Sequence, residues 1–254
     1  MGEHHRVASL ADVNAIERAP LTERGLANST YEVIARATAA TPKAPALAFF
    51  ATPEGYGTPS ICDYETLLHE VTRSANLFHR LGIRPGRTVS YLLPTLPQTH
   101  FALWGAQAAG VANPVNPMLE PSHIADILVA AETEALVVLA PTADGGEIWR
   151  KALAVAPQLP TLHTILTVDP NGTGVLPDRS RLPAHVALMD FDVERAKEDG
   201  ARLLSGRSIG SDDIAAYFHT GGTTGKPKLA QHTHGNEVFD GWLFGFMLDL
   251  PNTT

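Results

Sequence analysis

The 254 residues contain a single cysteine, Cys62. One thiol cannot form an intrachain disulfide, and it excludes cysteine-rich zinc and iron–sulfur sites. Long apolar runs are also absent. A membrane-crossing helix needs about 18 or more consecutive apolar residues. The most apolar stretch, FALWGAQAAGVANPV over residues 101–115, is interrupted by Gln107, Asn113 and Pro114, so no membrane span is expected. The opening residues, MGEHHRVASL, carry charges and lack the apolar centre of a secretory signal. Together with the scarcity of cysteine, this points to a cytoplasmic location. Positive charge is short as well: 19 Lys and Arg stand against 27 Asp and Glu, for a net charge of −8. Such a chain has no general attraction to nucleic acid or to an anionic membrane.

The composition is that of a globular domain. Hydrophobic residues make up 44% and charged residues 18%, which argues against global disorder. The length allows one large domain or two small ones. A chain of this size hides roughly three quarters of its unfolded surface.

Residues 1–28 have mixed polarity and few periodic signals, and read as a leader lying on the surface. Ser29 and Glu32 have capping-box spacing at a helix start, and that helix should end before Pro42. PALAFF (45–50) and Ser60–Cys62 flank EGYG (54–57), the pattern of a hairpin. Asp63 should cap a helix whose inner face carries Leu67, Val71, Ala75, Phe78 and Leu81, with Gly82 ending it. TVSYLLP (88–94), ALVVLA (135–140) and HTILTV (163–168) read as buried strands. Helices are expected near 97–109, 121–131 and 146–156, with Phe101 and Trp104 in the core. Strands separated by helices predict a parallel α/β sheet. Residues 170–185 and 205–213 read as loops, DVERAKEDGARLL (192–204) as an exposed helix with a solvated charged face, and IAAYFHT (214–220) as a strand.

That last strand leads into a loop rich in glycine and threonine: residues 217–236 read YFHTGGTTGKPKLAQHTHGN. Glycines let amides converge on an anion, threonine hydroxyls add neutral donors, and Lys226 and Lys228 add cations. Nucleotide phosphates fit such a loop; a polar turn between two strands is the plainer alternative. The P-loop pattern G-x-x-x-x-G-K-S/T fails twice. Thr220 stands where its first glycine is required, and Pro227 stands where the magnesium-binding hydroxyl is required. His232 and His234 have the spacing of a metal pair on a strand, but no third ligand is evident and no metal site is expected. Cys62 reads as a packed thiol whose neighbour Asp63 discourages the thiolate.

The segment resembles the phosphate loop of the acyl-adenylate-forming, AMP-binding enzymes: acyl-CoA synthetases, peptide-synthetase adenylation domains and luciferases. Thr220, Gly221, Gly222, Thr223, Thr224, Gly225, Pro227 and Lys228 match that pattern position by position, and Thr233, His234 and Asn236 match its trailing element. Leu229 departs from the usual glycine. Gly221 looks most like the fatty acyl-CoA synthetase branch. Residues 62–117 follow the same family's order, with Arg87 in place of an aspartate and Thr95 in place of an asparagine.

The resemblance implies part of a large N-terminal α/β domain of parallel sheets flanked by helices, residues 29–254 here, with the mobile C-terminal domain absent. It implies ATP, Mg²⁺ and coenzyme A as reactants of the longer parent, and a carboxylic acid, most like a fatty acid, as substrate. Thr220, Gly221, Gly222, Thr223, Thr224, Gly225 and Lys228 are the implied phosphate-binding residues. The family's main catalytic residues fall later than the 26 residues that follow Lys228, so the chain reads as an N-terminal fragment that is inactive alone. An amino-acid- or aryl-acid-activating domain is an alternative within the superfamily; a non-catalytic binding protein of the same fold is another. The apolar tail GWLFGFMLDL (241–250) predicts exposed apolar surface and self-association into a homo-oligomer.

Overall fold

The computed structural model describes residues 7, 9–20, 23–142, 145–220 and 227–247. Its elements in chain order are α1 (Leu10–Glu17), α2 (Thr30–Ala40), β1 (Pro45–Phe49), β2 (Ser60–Asp63), α3 (Tyr64–Arg80), β3 (Thr88–Leu92), α4 (Pro97–Ala109) and β4 (Val111–Pro114). There follow α5 (Pro121–Ala130), β5 (Thr133–Leu139), α6 (Glu147–Val155), β6 (Thr164–Val168), β7 (Ala187–Asp190), α7 (Phe191–Arg195), β8 (Ile214–Thr220), β9 (Lys228–Thr233) and α8 (His234–Met247).

Seven strands form one sheet in the order β7-β6-β5-β3-β4-β8-β9, while β1 and β2 pair separately as an antiparallel hairpin. From β7 to β8 every neighbouring pair is parallel; only β9 runs antiparallel, against β8. The mostly parallel α/β architecture expected from the sequence is present. Val89 sits between Ala112 on one side and Ala135 on the other. All residues of β3 and β6 are buried, as required of a sheet covered on both faces. Helices α4, α5 and α6 make the crossovers between successive parallel strands.

Local chemistry explains the boundaries. Asp63 Oδ1 accepts from the Thr66 amide at 2.8 Å and so starts α3. Leu67, Val71, Ala75 and Phe78 bury the inner face of α3, and Gly82, at φ +98°, turns the chain after it. Ser29 Oγ caps α2 by accepting from the Glu32 amide, but Glu32 reaches back to Asn28 instead of closing the box on Ser29. Cys62 is half-buried, and burial, then the Asp63 charge, push its thiol up. Arg87, at the family's aspartate position, pairs with Glu134 at 2.8 Å and links the starts of β3 and β5.

Two expectations are corrected. The helix over 192–204 is confined to the five residues of α7. Asn76 of α3 explains the break: its Nδ2 donates to the carbonyls of Asp199 and Arg202 at 2.7 and 2.9 Å, and its Oδ1 accepts from the Leu204 amide at 2.8 Å. Those backbone groups are satisfied from outside and gain nothing from continuing a helix. Gly200 also lies against the His69 ring, where a side chain would collide. Nor is the charged face solvated. Glu194 and Glu198 pair with Arg80, and Arg195 pairs with Glu70 while lying over the Phe101 ring at 4.9 Å. Residues 10–17, within the segment expected to lie on the surface, form α1, capped by Ser9 and Asp12 and without a buried residue. Arg24 donates to the carbonyls of Ile16 and Ala19 and stacks on Trp242 of α8 at 4.8 Å.

Helices α3 and α4 approach closely at Gly105. A Cβ there would fall 2.5 Å from Ser74 Cβ and 3.1 Å from the Ala75 amide nitrogen. Because two of the three nearest atoms are backbone, the helices would have to separate. Gly105→Ala should therefore cost about 1–3 kcal/mol despite alanine's higher helix propensity. A thermal melt equal to that of the unchanged chain would show that the helices do not meet there as described.

Candidate functional site

The glycine–threonine loop is carried by the β8–β9 hairpin. Thr220 ends β8, Lys228 begins β9, and the two are partners across the ladder. The Thr220 hydroxyl donates to the Lys228 carbonyl at 3.4 Å. Gly221, Gly222, Thr223, Thr224, Gly225 and Lys226 lie outside the described residues. The two ends are fixed nonetheless, so the loop begins and returns at one point of the sheet edge.

Strand pairing also decides which side chains share a face. The partners Ala216 with His232, Phe218 with Ala230, and Thr220 with Lys228 place all six on one face, because side chains alternate along a strand. The Phe218 and His232 rings meet on that face with centroids 4.7 Å apart. They form one wall of a cleft of about 610 Å³, whose other wall is Asn236, Glu237, Phe239, Asp240 and Gly241 of α8. The loop's anchoring hydroxyl and cation thus point to the same side as the cleft. Leu229, the departure from the family's glycine, is half-buried against the core and pairs with His219.

The Thr-His-x-Asn element has a structural explanation. Asn236 Oδ1 accepts from the Thr233 amide at 3.0 Å, and Thr233 Oγ1 accepts from the Asn236 amide at 3.1 Å, a reciprocal cap at the start of α8. The next two amides are satisfied by the preceding loop: His234 donates to the Asp213 carbonyl at 2.9 Å and Gly235 to the Ser211 carbonyl at 2.8 Å. His232 lies on β9 and His234 on α8, so they do not form a same-strand pair. Among the described residues no group of three or more His, Cys, Asp or Glu could hold a metal ion.

His234 is fully buried. Burial, with Arg207 nearby, pushes its pKa down from 6.5 to about 4, so the ring is neutral at neutral pH. Its Nδ1 lies 3.2 Å from the Thr30 hydroxyl, which donates to Gln107 Oε1 at 2.7 Å. Gln107 Nε2 in turn donates to Glu237 Oε2 at 2.8 Å. Burial and then the neighbouring Asp240 charge raise the Glu237 carboxyl, against the bond from Gln107 that lowers it. Arg207 closes the arrangement from below, donating to the carbonyls of Gln107 and Ala108 at 3.2 Å and to Asp213 Oδ2 at 3.0 Å. Thr30, Gln107, Arg207 and Glu237 were not anticipated in the sequence. One signal was visible: Gln107 is the lone polar residue between buried alanines 106 and 108.

A family model described as AMP-binding enzyme matches residues 34–247. The chain belongs to the AMP-binding enzyme family. It is 33% identical over 233 residues to a marinolic acid–CoA ligase of Pseudoalteromonas, covering 92% of this chain and 34% of that protein. It is 29% identical over 188 residues to a crotonobetaine/carnitine–CoA ligase of Salmonella paratyphi A, covering 74% of this chain and 33% of that protein. The chain thus spans about a third of the length of these relatives. Among solved structures it superposes on an anthranilate CoA ligase bound to anthranoyl-AMP with a TM-score of 0.69 at 20% identity, covering 90% of this chain and 38% of that one. An acetoacetyl-CoA synthetase from Streptomyces lividans gives a TM-score of 0.71 at 24% identity, covering 85% and 32%. At these identities the superpositions show a shared fold. Among the described residues no helix is long and apolar enough to cross a membrane.

The buried histidine makes a pH prediction. Its folded pKa of about 4 lies below the ordinary 6.5, so the unfolded chain takes up a proton in that interval and the folded chain does not. Stability contributed by neutral burial is complete above pH 6.5 and is lost as pH falls towards about 4. His234→Asn should show a shallower loss of melting temperature over that interval than the unchanged chain. Parallel losses in the two proteins would assign the acid sensitivity elsewhere.

Proposed function

We propose that the chain is the N-terminal part of an ATP-dependent acyl-CoA synthetase, with residues 29–254 an incomplete AMP-binding domain behind a leader of residues 1–28. In this reading the longer protein joins a carboxylic acid, a fatty acid by preference, to the α-phosphate of ATP and releases pyrophosphate. It then passes the acyl group to coenzyme A. A cytoplasmic location and self-association belong to the same reading.

The observation that carries it is the mouth of the β8–β9 hairpin. Thr220 and Lys228 face the same side there, at the two ends of a loop whose sequence is rich in glycine and threonine. Hydroxyls, loop amides and one ammonium suit a polyphosphate, and the donor set carries no carboxylate to repel it. Thr223 and Thr224 would donate to phosphate oxygens, as would Thr220 on giving up its long bond to the Lys228 carbonyl, while Gly221, Gly222 and Gly225 would let the backbone approach them. Lys228 would stabilise charge on the departing pyrophosphate. With no metal-binding cluster among the described residues, Mg²⁺ would enter with the phosphates of ATP, as is usual for that ion.

In the longer protein, Lys228→Ala should slow adenylation by about 100- to 1000-fold, the scale of losing one donor aimed at developing charge. Thioester formation from preformed acyl-adenylate involves no pyrophosphate and should change little. Lys226→Ala should be milder, because the family pattern leaves that position free. ATP–pyrophosphate exchange and thioester formation, measured separately across a panel of acids, test this. Equal losses in both half-reactions would refute the role given to Lys228.

The 254-residue chain itself should release no AMP from ATP, Mg²⁺, coenzyme A and fatty acids beyond the level of its Lys228→Ala variant. Turnover above that control would make the chain self-sufficient and overturn the assignment as an inactive part.

A further inference from the structure

We propose that Gln107 is a positioning residue for the phosphate-loop hairpin: from α4 it holds the helix that follows the hairpin, and through it the placement of Lys228. The proposal rests on the function proposed above.

Among the described residues, strand β9 lies at the edge of the sheet and has β8 as its strand neighbour. At the loop end, the Thr220 hydroxyl donates to the Lys228 carbonyl at 3.4 Å, the one side-chain tie there among the described residues. Strand β9 is laddered to β8 from Lys228 to Thr233 and rests Leu229 on the core; at its other end it runs directly into α8, which adds a second constraint on its placement. That end is held by buried polar groups. Gln107 and His234 are both fully buried, and the Thr30 hydroxyl stands between them, 2.7 Å from Gln107 Oε1 and 3.2 Å from His234 Nδ1. The other half of the Gln107 amide donates to Glu237 one turn further along α8. A single side chain therefore fixes α8 at two points, directly at Glu237 and through Thr30 at His234. Its backbone carbonyl receives Arg207 at 3.2 Å, so the 205–213 loop that caps α8 is referenced to the same residue.

An apolar residue would fill this space without the cost of burying an amide. A carboxamide accepts from Thr30 through its oxygen and donates to a carboxylate through its nitrogen at once. Both ends are used, which is the arrangement expected where orientation rather than burial is being set. The bond to Glu237 ends on a carboxyl group, and hydrogen bonds to charged groups are the stronger kind.

The test is made in the longer protein with Gln107→Glu and the near-isosteric Gln107→Met. The Gln107→Glu carboxylate would face Glu237, with His232 and Asp240 beside it. His234 approaches from the start of α8, Arg207 and Asp213 from the loop, and Tyr91 from β3. Two carboxylates in contact share a proton at low pH and repel at high pH. Gln107→Glu should thus lower ATP–pyrophosphate exchange about 10-fold or more at alkaline pH, the scale of losing one bond to a charged group. It should regain most of the loss at mildly acidic pH, while thioester formation from preformed acyl-adenylate stays near the unchanged rate. Gln107→Met should show the same selective loss with no recovery at low pH. In hydrogen exchange, residues 228–233 of both variants should exchange faster at alkaline pH than in the unchanged protein. Equal loss in both half-reactions, unchanged exchange at 228–233, or pH profiles that do not differ between the two variants would overturn the proposal. The unchanged protein and Lys228→Ala, run alongside, separate the failures. If the unchanged protein shows no ATP–pyrophosphate exchange with any acid, the function proposed above is wrong and this role falls with it; if Lys228→Ala leaves exchange intact, the role given to Lys228 is wrong. If it slows adenylation while the Gln107 variants do not, only the role of Gln107 is wrong.

Discussion

A parallel sheet cannot stand with a bare face, and that constraint orders the rest of this molecule. Parallel neighbours cannot be joined by a tight turn, so each connection must cross over the sheet, and the crossing helix covers a face as it goes. Helices α4, α5 and α6 do this between β3, β4, β5 and β6. A consequence follows for function. All strands from β7 to β8 point the same way, so their carboxyl ends share one edge. Open α/β sheets offer their crevices there. The loop after Thr220 leaves β8 at that edge without any special device.

The strand that returns from the loop does need one. Strand β9 is antiparallel and last in the sheet, a position that gains ladder bonds on one side only. The protein compensates at the β9–α8 junction with matched polar groups: the Thr233–Asn236 cap and the carbonyls of Asp213 and Ser211 near the surface, and the buried Gln107 amide beneath them. A neutral His234 fits this environment, because a charged ring there would lie beside Arg207 without water. Side-chain hydrogen bonding is thus concentrated at the β9–α8 junction. The mouth of the loop carries only the Thr220–Lys228 side-chain tie among the described residues, which suits the phosphate-binding role proposed for it.

Much of this was legible in the residues, and the failures have physical causes. Apolar runs such as ALVVLA and HTILTV identify strands because a doubly covered sheet needs unbroken hydrophobicity. Asp63 and Gly82 mark the ends of α3 because caps are local chemistry. Strand β4 escaped notice because Val111–Pro114 is four residues long and ends in proline, too short for any periodicity to register. The 192–204 segment misled for a different reason. Its helical pattern is real, but Asn76, more than 120 residues earlier in the chain, takes its backbone groups. No local signal reports a partner so distant.

The candidate site divides along the same line. Its loop is readable because glycines, threonines and lysine are consecutive and their chemistry towards phosphate is intrinsic. Its supports come from α2, α4 and the 205–213 loop, and meet only after folding. A motif search therefore finds the residues proposed to touch phosphate and misses those proposed to aim them. Gln107 shows how the second kind can be sought. A polar side chain placed where the helix on either side is buried alanine must find partners inside the protein or destabilise it by an unsatisfied amide. Its presence in an apolar run thus predicts a buried polar contact before the contact is known. Here that contact, with Glu237, lies on the helix directly following the loop's own hairpin.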